Sequence, residues 1–306
     1  MDRNNGAVRR SDRTKQIVLL PSRRFLRGEF SRRDALSPYS LRLIIATMSL
    51  VLKLSLVPLV VWLASEAGRR WGHSVTGWIT GLPLIAAPIS IFLALDPGPE
   101  FSAQTGHVIL QSTPAAALHC LAFALAAQRC GWLGSLLIGW ASFIGLSFLC
   151  TFAPMPIWLA AICAFASLAI VLVALPSVEH DIGPVHIPRG EIIVRMLFAL
   201  AIAAAATLGA TTLGPKFSGI LLTFPISGSV MPAFTRAIYG GKATVQLLRG
   251  FVLGLFGFTA FFVVVPLALP RMGLLPAYLL AAMVAVSVTL IITRLATRLG
   301  INRPPL

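Results

Sequence analysis

Charged side chains are scarce in this 306-residue chain, and acidic ones are the scarcest. Asp and Glu number 10, and all charged residues together make up 11% of the sequence, whereas a soluble domain has about a quarter. Too little polar surface remains to cover soluble domains of this length. Apolar residues form 57% of the chain and the mean hydropathy is +0.86, which indicates an integral membrane protein.

Sequence motifs of enzymes and metal sites are also missing. The four cysteines show no C-x-x-C spacing, so they are interpreted as buried spectators and not as disulfides or zinc ligands. The chain has no G-x-S-x-G, P-loop, H-E-x-x-H or carboxylate pair. His180 and His186, near Asp181, are interpreted as part of a solvated loop, and His107 and His119 have no carboxylate in reach by spacing. We therefore expect no catalytic residue, no metal and no cofactor.

The positive charge is concentrated at the amino end. Residues 1–47 carry 11 of the 25 Lys and Arg and contain no run long enough to cross a membrane. They are predicted to form a disordered basic arm, and they lack the features of a signal peptide. No aromatic–basic pattern accompanies the charge, so no nucleic-acid partner is expected. Met48 opens the first apolar run, so translation could start at Met1 or at Met48.

Long apolar runs fill the rest of the chain. About 20 such residues cross a hydrocarbon core of about 30 Å. Nine spans of this kind are predicted: 48–66, 75–95, 107–128, 131–151, 154–175, 192–212, 217–237, 250–269 and 273–293. Gln104 and Gln246, just before two of them, are interpreted as polar residues at loop ends. The predicted fold is therefore an all-α integral membrane protein.

The chain also resembles itself at an offset of 142 residues. This shift lays spans 1–4 on spans 6–9 and aligns Gly77 with Gly219, Pro83 with Pro225, and Gly98 with Gly240. Because one unpaired helix lies between the halves, the second half starts on the opposite side of the membrane, as in many secondary transporters. The predicted units are 48–151 and 192–295 as inverted four-helix repeats, 152–191 as a linking helix with its loop, and 296–306 as a basic tail.

Loop charges give the predicted orientation. Outside the basic arm, the loops on one side would hold ten Lys and Arg and those on the other side two. The preference for Lys and Arg on the cytoplasmic side then places the C-terminus inside and the N-terminus outside. The basic arm favours the opposite orientation, unless translation starts at Met48.

Spans 2 and 7 contain the candidate binding site. Proline within a helix removes a backbone donor, and inside a membrane such breaks persist where they are buried in protein or line a cavity. Broken helices in corresponding halves indicate a transporter's binding site, although a proline kink that lets small residues pack closely is the alternative. The candidate ligand-binding residues are Pro83, Pro225, Ser90, Ser227 and Ser229, with Gly77, Gly219, Gly98 and Gly240 as helix-break and loop glycines.

Two cations lie inside predicted spans at equivalent positions, Lys53 and Arg195. A cation at the centre of a span costs at least about 2.5–3.5 kcal/mol on insertion, so it usually faces a cavity or a partner. Few carboxylates are available to pair with them, which favours an anionic ligand or a lipid phosphate. Snorkelling to the headgroups is the alternative interpretation.

Several short motifs carry a family resemblance. Met48-Ser-Leu-Val-Leu-Lys53, followed by Gly77-x5-Pro83 and Gly98, resembles the GlpM-type small bacterial membrane proteins, and Gly219-Ile-Leu-Leu-Thr-Phe-Pro225 matches their second motif. The resemblance covers 48–151 and 192–295 and implies a tandem fused pair in a bacterial inner membrane. That family is connected with exopolysaccharide (alginate) production. The architecture is also similar to that of small multidrug resistance and drug/metabolite transporters, but the glutamate in their first helix is missing here.

Two functions follow as expectations. The first is a transporter-like protein that binds a small anionic or lipid-like ligand and has membrane lipids as partners. The alternative is a non-transporting accessory protein that supports envelope or exopolysaccharide biosynthesis together with envelope-biosynthesis proteins. A cavity between Pro83 and Pro225 would favour the transporter, whereas a scaffold would be packed shut there.

Overall fold

The computed structural model describes residues 78–153, 155–176 and 189–299, together with Ser55, Leu59 and Trp62. All regular structure in these residues is helical. A short helical segment, residues 78–81, precedes seven helices: α1 (Ala86–Leu95), α2 (Pro99–Ala126), α3 (Trp132–Phe152), α4 (Ile157–Ala174), α5 (Arg189–Thr223), α6 (Ser227–Met272) and α7 (Leu274–Arg298).

Six stretches of this part of the chain are long and apolar enough to cross a membrane: Trp78–Leu95, Pro99–Ala126, Trp132–Cys150, Ile157–Ala174, Thr212–Met272 and Leu274–Arg298. The predicted all-α membrane class is confirmed. The basic arm and all of the predicted span 48–66 except Ser55, Leu59 and Trp62 lie outside the described residues, so the count of nine spans stays a prediction.

The stretch Thr212–Met272 is too long for a single crossing. As one straight helix its 61 residues would measure about 91 Å, roughly three times the thickness of a hydrocarbon core. The chain is interrupted at Gly214 (φ 73°), at residues 224–226 and at Gly240 (φ 85°). Gly98 has the same left-handed backbone (φ 116°) 142 residues before Gly240. Only glycine adopts this conformation without strain, which explains why the interruptions fall there.

Helix α2 begins eight residues earlier than predicted. Gly98 turns the chain, and Pro99 occupies the first helical position, where its fixed φ suits a helix and its missing N–H costs nothing. Gln104 is therefore inside the helix, where its amide donates to Glu100 Oε1 at 3.1 Å. The interpretation of Gln104 and Gln246 as loop-end residues was wrong, because both lie within helices.

Helix α2 and the second part of α6 (residues 241–272) run antiparallel at the centre of the molecule. A Cβ added to Gly106 would lie 2.9 Å from the Pro266 side chain, and one added to Gly241 would lie 2.6 Å from the Ala127 carbonyl oxygen. The start of α2 is thus beside the end of α6, and the end of α2 is beside Gly241. We call these two ends of the molecule the Asp96 end and the Gln128 end.

Helix α4 is fastened to α6 by an arginine. The Arg249 guanidinium donates to the carbonyls of Leu175 at 2.8 Å, Pro176 at 3.0 Å and Leu172 at 3.3 Å. The last carbonyls of a helix have no helical donor, and a cation there also interacts favourably with the helix dipole. Arg249 therefore fixes the end of α4 against the central helix.

The buried core is formed mainly by α2 and α6. Phe123, Leu110 and Phe262 are completely enclosed there. In contrast, α3, α4 and α7 expose large apolar side chains such as Leu149 and Leu275. Apolar outer faces around a tightly packed centre are typical of helices that contact lipid.

Candidate functional site

The two prolines predicted to break helices form the same backbone turn. Before each proline, the N–H donates to the carbonyl three residues back: Leu82 to Ile79 and Phe224 to Leu221, both at 3.2 Å. The Phe224 N–H also donates to the Ile220 carbonyl at 2.9 Å. After each proline, the N–H donates to the carbonyl two residues back: Leu84 to Leu82 at 2.7 Å and Ile226 to Phe224 at 2.8 Å. The equivalent donors are 142 residues apart, so the offset found in the sequence relates two turns that share these two hydrogen bonds.

A cavity of about 60 Å³ lies between these two turns. Such a volume has room for roughly four water molecules. The lining residues are mostly apolar, and the polar ones among them are Thr80, Thr113, Thr223 and Ser227. The remaining lining residues are Gly81, Leu82, Leu84, Ile85, Ala86, Ile89, Ala116, Leu221, Leu222, Phe224, Pro225, Ile226, Phe251, Leu255 and Phe258.

Helices α1 and α6 both begin at this cavity. Their N-cap residues, Ile85 and Ile226, provide no side-chain cap. Among the described residues, no backbone carbonyl accepts from the N–H groups of Ile85 and Ala86 or of Ser227 and Gly228. Free N–H groups and the helix dipole give a helix N-terminus a positive partial charge. Two such ends therefore favour negative charge in the cavity.

Glycines allow the helical segment before each proline break to pack closely on a central helix from the other half of the chain. A Cβ on Gly81 would lie 2.8 Å from the Gly254 Cα, and one on Gly219 would lie 2.6 Å from the Val108 Cβ. The segment before the first break thus packs on α6, and the segment before the second break packs on α2. Gly219 belongs to this packing, five residues before the turn itself. Each half thereby supplies part of the wall next to the other half's break.

The predicted site residues occupy different places. Ser227 and Pro225 line the cavity, and Pro83 is buried within the first turn without lining it. Two half-helices, α1 and residues 227–239, lead away from the cavity, and Gly98 and Gly240 lie at their far ends. Lys53, Gly77 and the side chain of Arg195 lie outside the described residues.

Ser90 belongs to a buried hydroxyl cluster instead of the cavity. Its Oγ is 2.7 Å from the Tyr278 hydroxyl and 3.0 Å from Ser102 Oγ, while the Ser102 hydroxyl donates to the Ser90 carbonyl at 2.9 Å. Ser102 and Tyr278 are 3.0 Å apart. Each hydroxyl has a partner, so the cluster joins α1, α2 and α7.

Ser229 also points away from the cavity, into a second polar cluster. The Trp140 indole donates to Ser229 Oγ at 3.0 Å, and His119 Nε2 is 3.4 Å from the same oxygen. His119 Nε2 is also 3.0 Å from the Gly228 carbonyl oxygen. Sequence reasoning set His119 aside because it sought only carboxylate partners. Pro232 was the available signal, because a proline in a helix leaves an upstream carbonyl in need of a donor.

No family model, no curated protein and no solved structure matches this chain. The geometry of the cavity and of its two turns is therefore the basis for a function.

Proposed function

We propose that this protein is a membrane transporter whose ligand, an anion, binds in the cavity between the two broken helices. The observation that carries the proposal is that this cavity is bounded by equivalent proline turns from both halves of the chain. Discontinuous helices at the interface of two repeats are the usual setting of a transporter's binding site. Irregular backbone inside a membrane persists where it is buried in protein or lines a cavity. The backbone of these two turns lies at such a cavity.

The architecture belonging to this proposal is two inverted four-helix units joined by α4. Helix α2 and residues 241–268 are equivalent under the 142-residue offset, and they run antiparallel. From the cavity, α1 leads to the Asp96 end, while residues 227–239 lead to the Gln128 end. Opposite directions of equivalent segments are what an inverted repeat requires. Nine membrane crossings follow if Thr212–Met272 crosses twice and the predicted spans 48–66 and 192–212 also cross.

The anionic ligand is inferred from the two uncapped helix N-termini. In broken-helix transporters such ends point at anionic groups of the substrate. Lys53 and Arg195 would add positive charge to the same region as part of the proposal. The ligand is accordingly a small anion or the anionic group of a lipid-like molecule.

Charge at the two ends supports one orientation. Among the described side chains, six cations lie toward the Gln128 end: Arg129, Arg236, Lys242, Arg249, Arg294 and Arg298. Asp96 and Glu100, the carboxylates among the described side chains, lie at the Asp96 end with Lys216 and Arg271. The Gln128 end is therefore proposed to be cytoplasmic. A bacterial inner membrane is proposed on the resemblance to GlpM-type proteins.

The proposal is tested by measuring anion movement. The full chain is reconstituted in liposomes, and currents on solid-supported membranes are recorded after jumps in inorganic phosphate, sulfate or acetate. Native mass spectrometry with phosphatidic acid separates a lipid-like ligand from a free anion. Specific currents or specific binding are expected. If neither occurs, the transporter proposal is wrong, and the accessory role becomes the hypothesis to pursue.

A cavity-filling variant locates the ligand. Ala116 is buried and lines the cavity on α2, whereas Ala122 is on the same helix, partly exposed and remote from the lining. Ala116→Leu should abolish the response, because three added carbon atoms occupy most of a space this small, and Ala122→Leu should leave it unchanged. Size-exclusion profiles check that both variants are folded. Equal responses from the two variants would place the ligand elsewhere.

A further inference from the structure

The first turn of α6 contains a carbonyl that lacks its usual helical donor. In an α-helix the carbonyl of residue 228 accepts from the N–H of residue 232. Residue 232 is proline, which has no N–H. The Gly228 carbonyl is buried one residue beyond Ser227, which lines the cavity. Leaving such a carbonyl without a donor inside a membrane protein is costly.

His119 supplies the missing donor. Its Nε2 lies 3.0 Å from the Gly228 oxygen, and because a carbonyl only accepts, Nε2 carries the proton. The imidazole is fully buried, and its other nitrogen, Nδ1, lies against Gly139 of α3. The Nε2 contact is directed at α6.

Helix α3 is shaped to hold this imidazole in place. A Cβ on Gly139 would lie 2.9 Å from both Cε1 and Nδ1 of His119, so glycine leaves the space that the ring occupies. The neighbouring Trp140 donates to Ser229 Oγ at 3.0 Å, which adds a second hydrogen bond to the same turn of α6. Hydrogen bonds from α2 and α3 therefore hold the first turn of α6, which follows the break at Pro225.

We propose that His119 is a positioning residue: it replaces the backbone donor that Pro232 removes and so holds Ser227 at the wall of the cavity. This inference rests on the proposed function, since it assigns His119 a role at the proposed binding site. The first turn of α6 can accommodate Pro232 because His119, on α2, donates to the carbonyl that the proline leaves without a backbone donor.

The test measures access to residue 227 and needs no ligand. Ser227→Cys is introduced after Cys120, Cys130, Cys150 and Cys163 are replaced by alanine, and its reaction with a small methanethiosulfonate reagent is timed. His119→Phe removes the donor and keeps a ring, so labelling should accelerate by about tenfold or more, because an unsatisfied buried carbonyl destabilises the turn. His119→Gln retains an N–H and should stay near the parent rate. Ile85→Cys, at the equivalent position of the other break, should not respond.

Restoring the backbone donor provides the decisive comparison. Pro232→Ala returns an N–H to the Gly228 carbonyl, so the double variant His119→Phe/Pro232→Ala should regain the slow labelling rate. Recovery of folding by the double variant, should His119→Phe alone fail to fold, supports the same conclusion. Labelling unchanged by His119→Phe, or an accelerated rate or misfolding that Pro232→Ala leaves uncorrected, would overturn the positioning role. An absence of both anion currents and phosphatidic acid binding would refute the proposed function without altering this result.

Discussion

Placing a carboxylate at Ser227 separates the anion site from a simple structural void. Ser227 is the first residue of α6 and lines the cavity. A negative side chain at a helix N-terminus is stabilising by about 0.3–1 kcal/mol, and by up to about 2 kcal/mol when partly buried. Ser227→Asp should therefore unfold at a temperature no lower than Ser227→Asn, the uncharged control of nearly the same size.

The same carboxylate should exclude the ligand. A volume of 60 Å³ has an edge of roughly 4 Å, and two like charges at that distance repel by about 4 kcal/mol at an effective dielectric constant of about 20. Since about 1.4 kcal/mol is tenfold in affinity, anion binding should weaken by about three orders of magnitude. Solid-supported membrane currents titrated with the transported anion measure this. Equal half-saturation for Ser227→Asp and Ser227→Asn would refute the placement of the anion beside α6.

Three further predictions concern the fold. Gly240→Ala should destabilise the protein by about 1–2 kcal/mol, because the φ of Gly240 is +85° although the space around it is open. Gly131 is equally open but has a φ of −68°, so Gly131→Ala should be near neutral. Equal midpoints of the two variants in chemical denaturation would contradict this. Arg249→Met should lower stability by about 1.5–3 kcal/mol through lost charged hydrogen bonds, while exposed Lys242→Met should change it little, as thermal unfolding would report. Single cysteines at the exposed positions Gln128 and Asp96 should react from opposite sides of oriented vesicles, and labelling from the same side would refute the placement of these residues at opposite ends of α2.

The positions of the helix breaks could be predicted because proline and glycine act locally. Pro83 and Pro225 interrupt helices at the residues where they occur, and Gly98 and Gly240 adopt a backbone that other residues avoid. A cavity lies between the two proline turns, and the transporter function that such a cavity favours stays a proposal.

The direction of the serines could not be predicted in the same way. Ser227 and Ser229 are two residues apart, and a helix turns them by about 200° relative to each other. Which of them faces the cavity depends on how α6 packs against α2 and α3, and the sequence pattern does not specify that packing. The hydroxyl pairs of Ser90 with Ser102 and Tyr278 are long-range contacts of the same kind.

The role of His119 required a different way of reading the sequence. By spacing, His119 has no carboxylate in reach, and its partner in the structure is a backbone carbonyl 109 residues away in the chain. The useful signal is a missing backbone donor, because each proline inside a membrane helix leaves a carbonyl acceptor that another group must satisfy.

The short half-helices also determine what fraction of the membrane potential acts on an anion at the proposed site. Helix α1 has 10 residues and measures about 15 Å, half the thickness of a hydrocarbon core of about 30 Å. An anion that reaches the cavity from either face therefore crosses about half of the membrane potential. At about 2.3 kcal/mol per charge for 100 mV across the whole membrane, half the field changes the binding free energy of a monovalent anion by about 1.2 kcal/mol. Its affinity would then shift by roughly sevenfold for each 100 mV, with opposite sign for entry from the two faces.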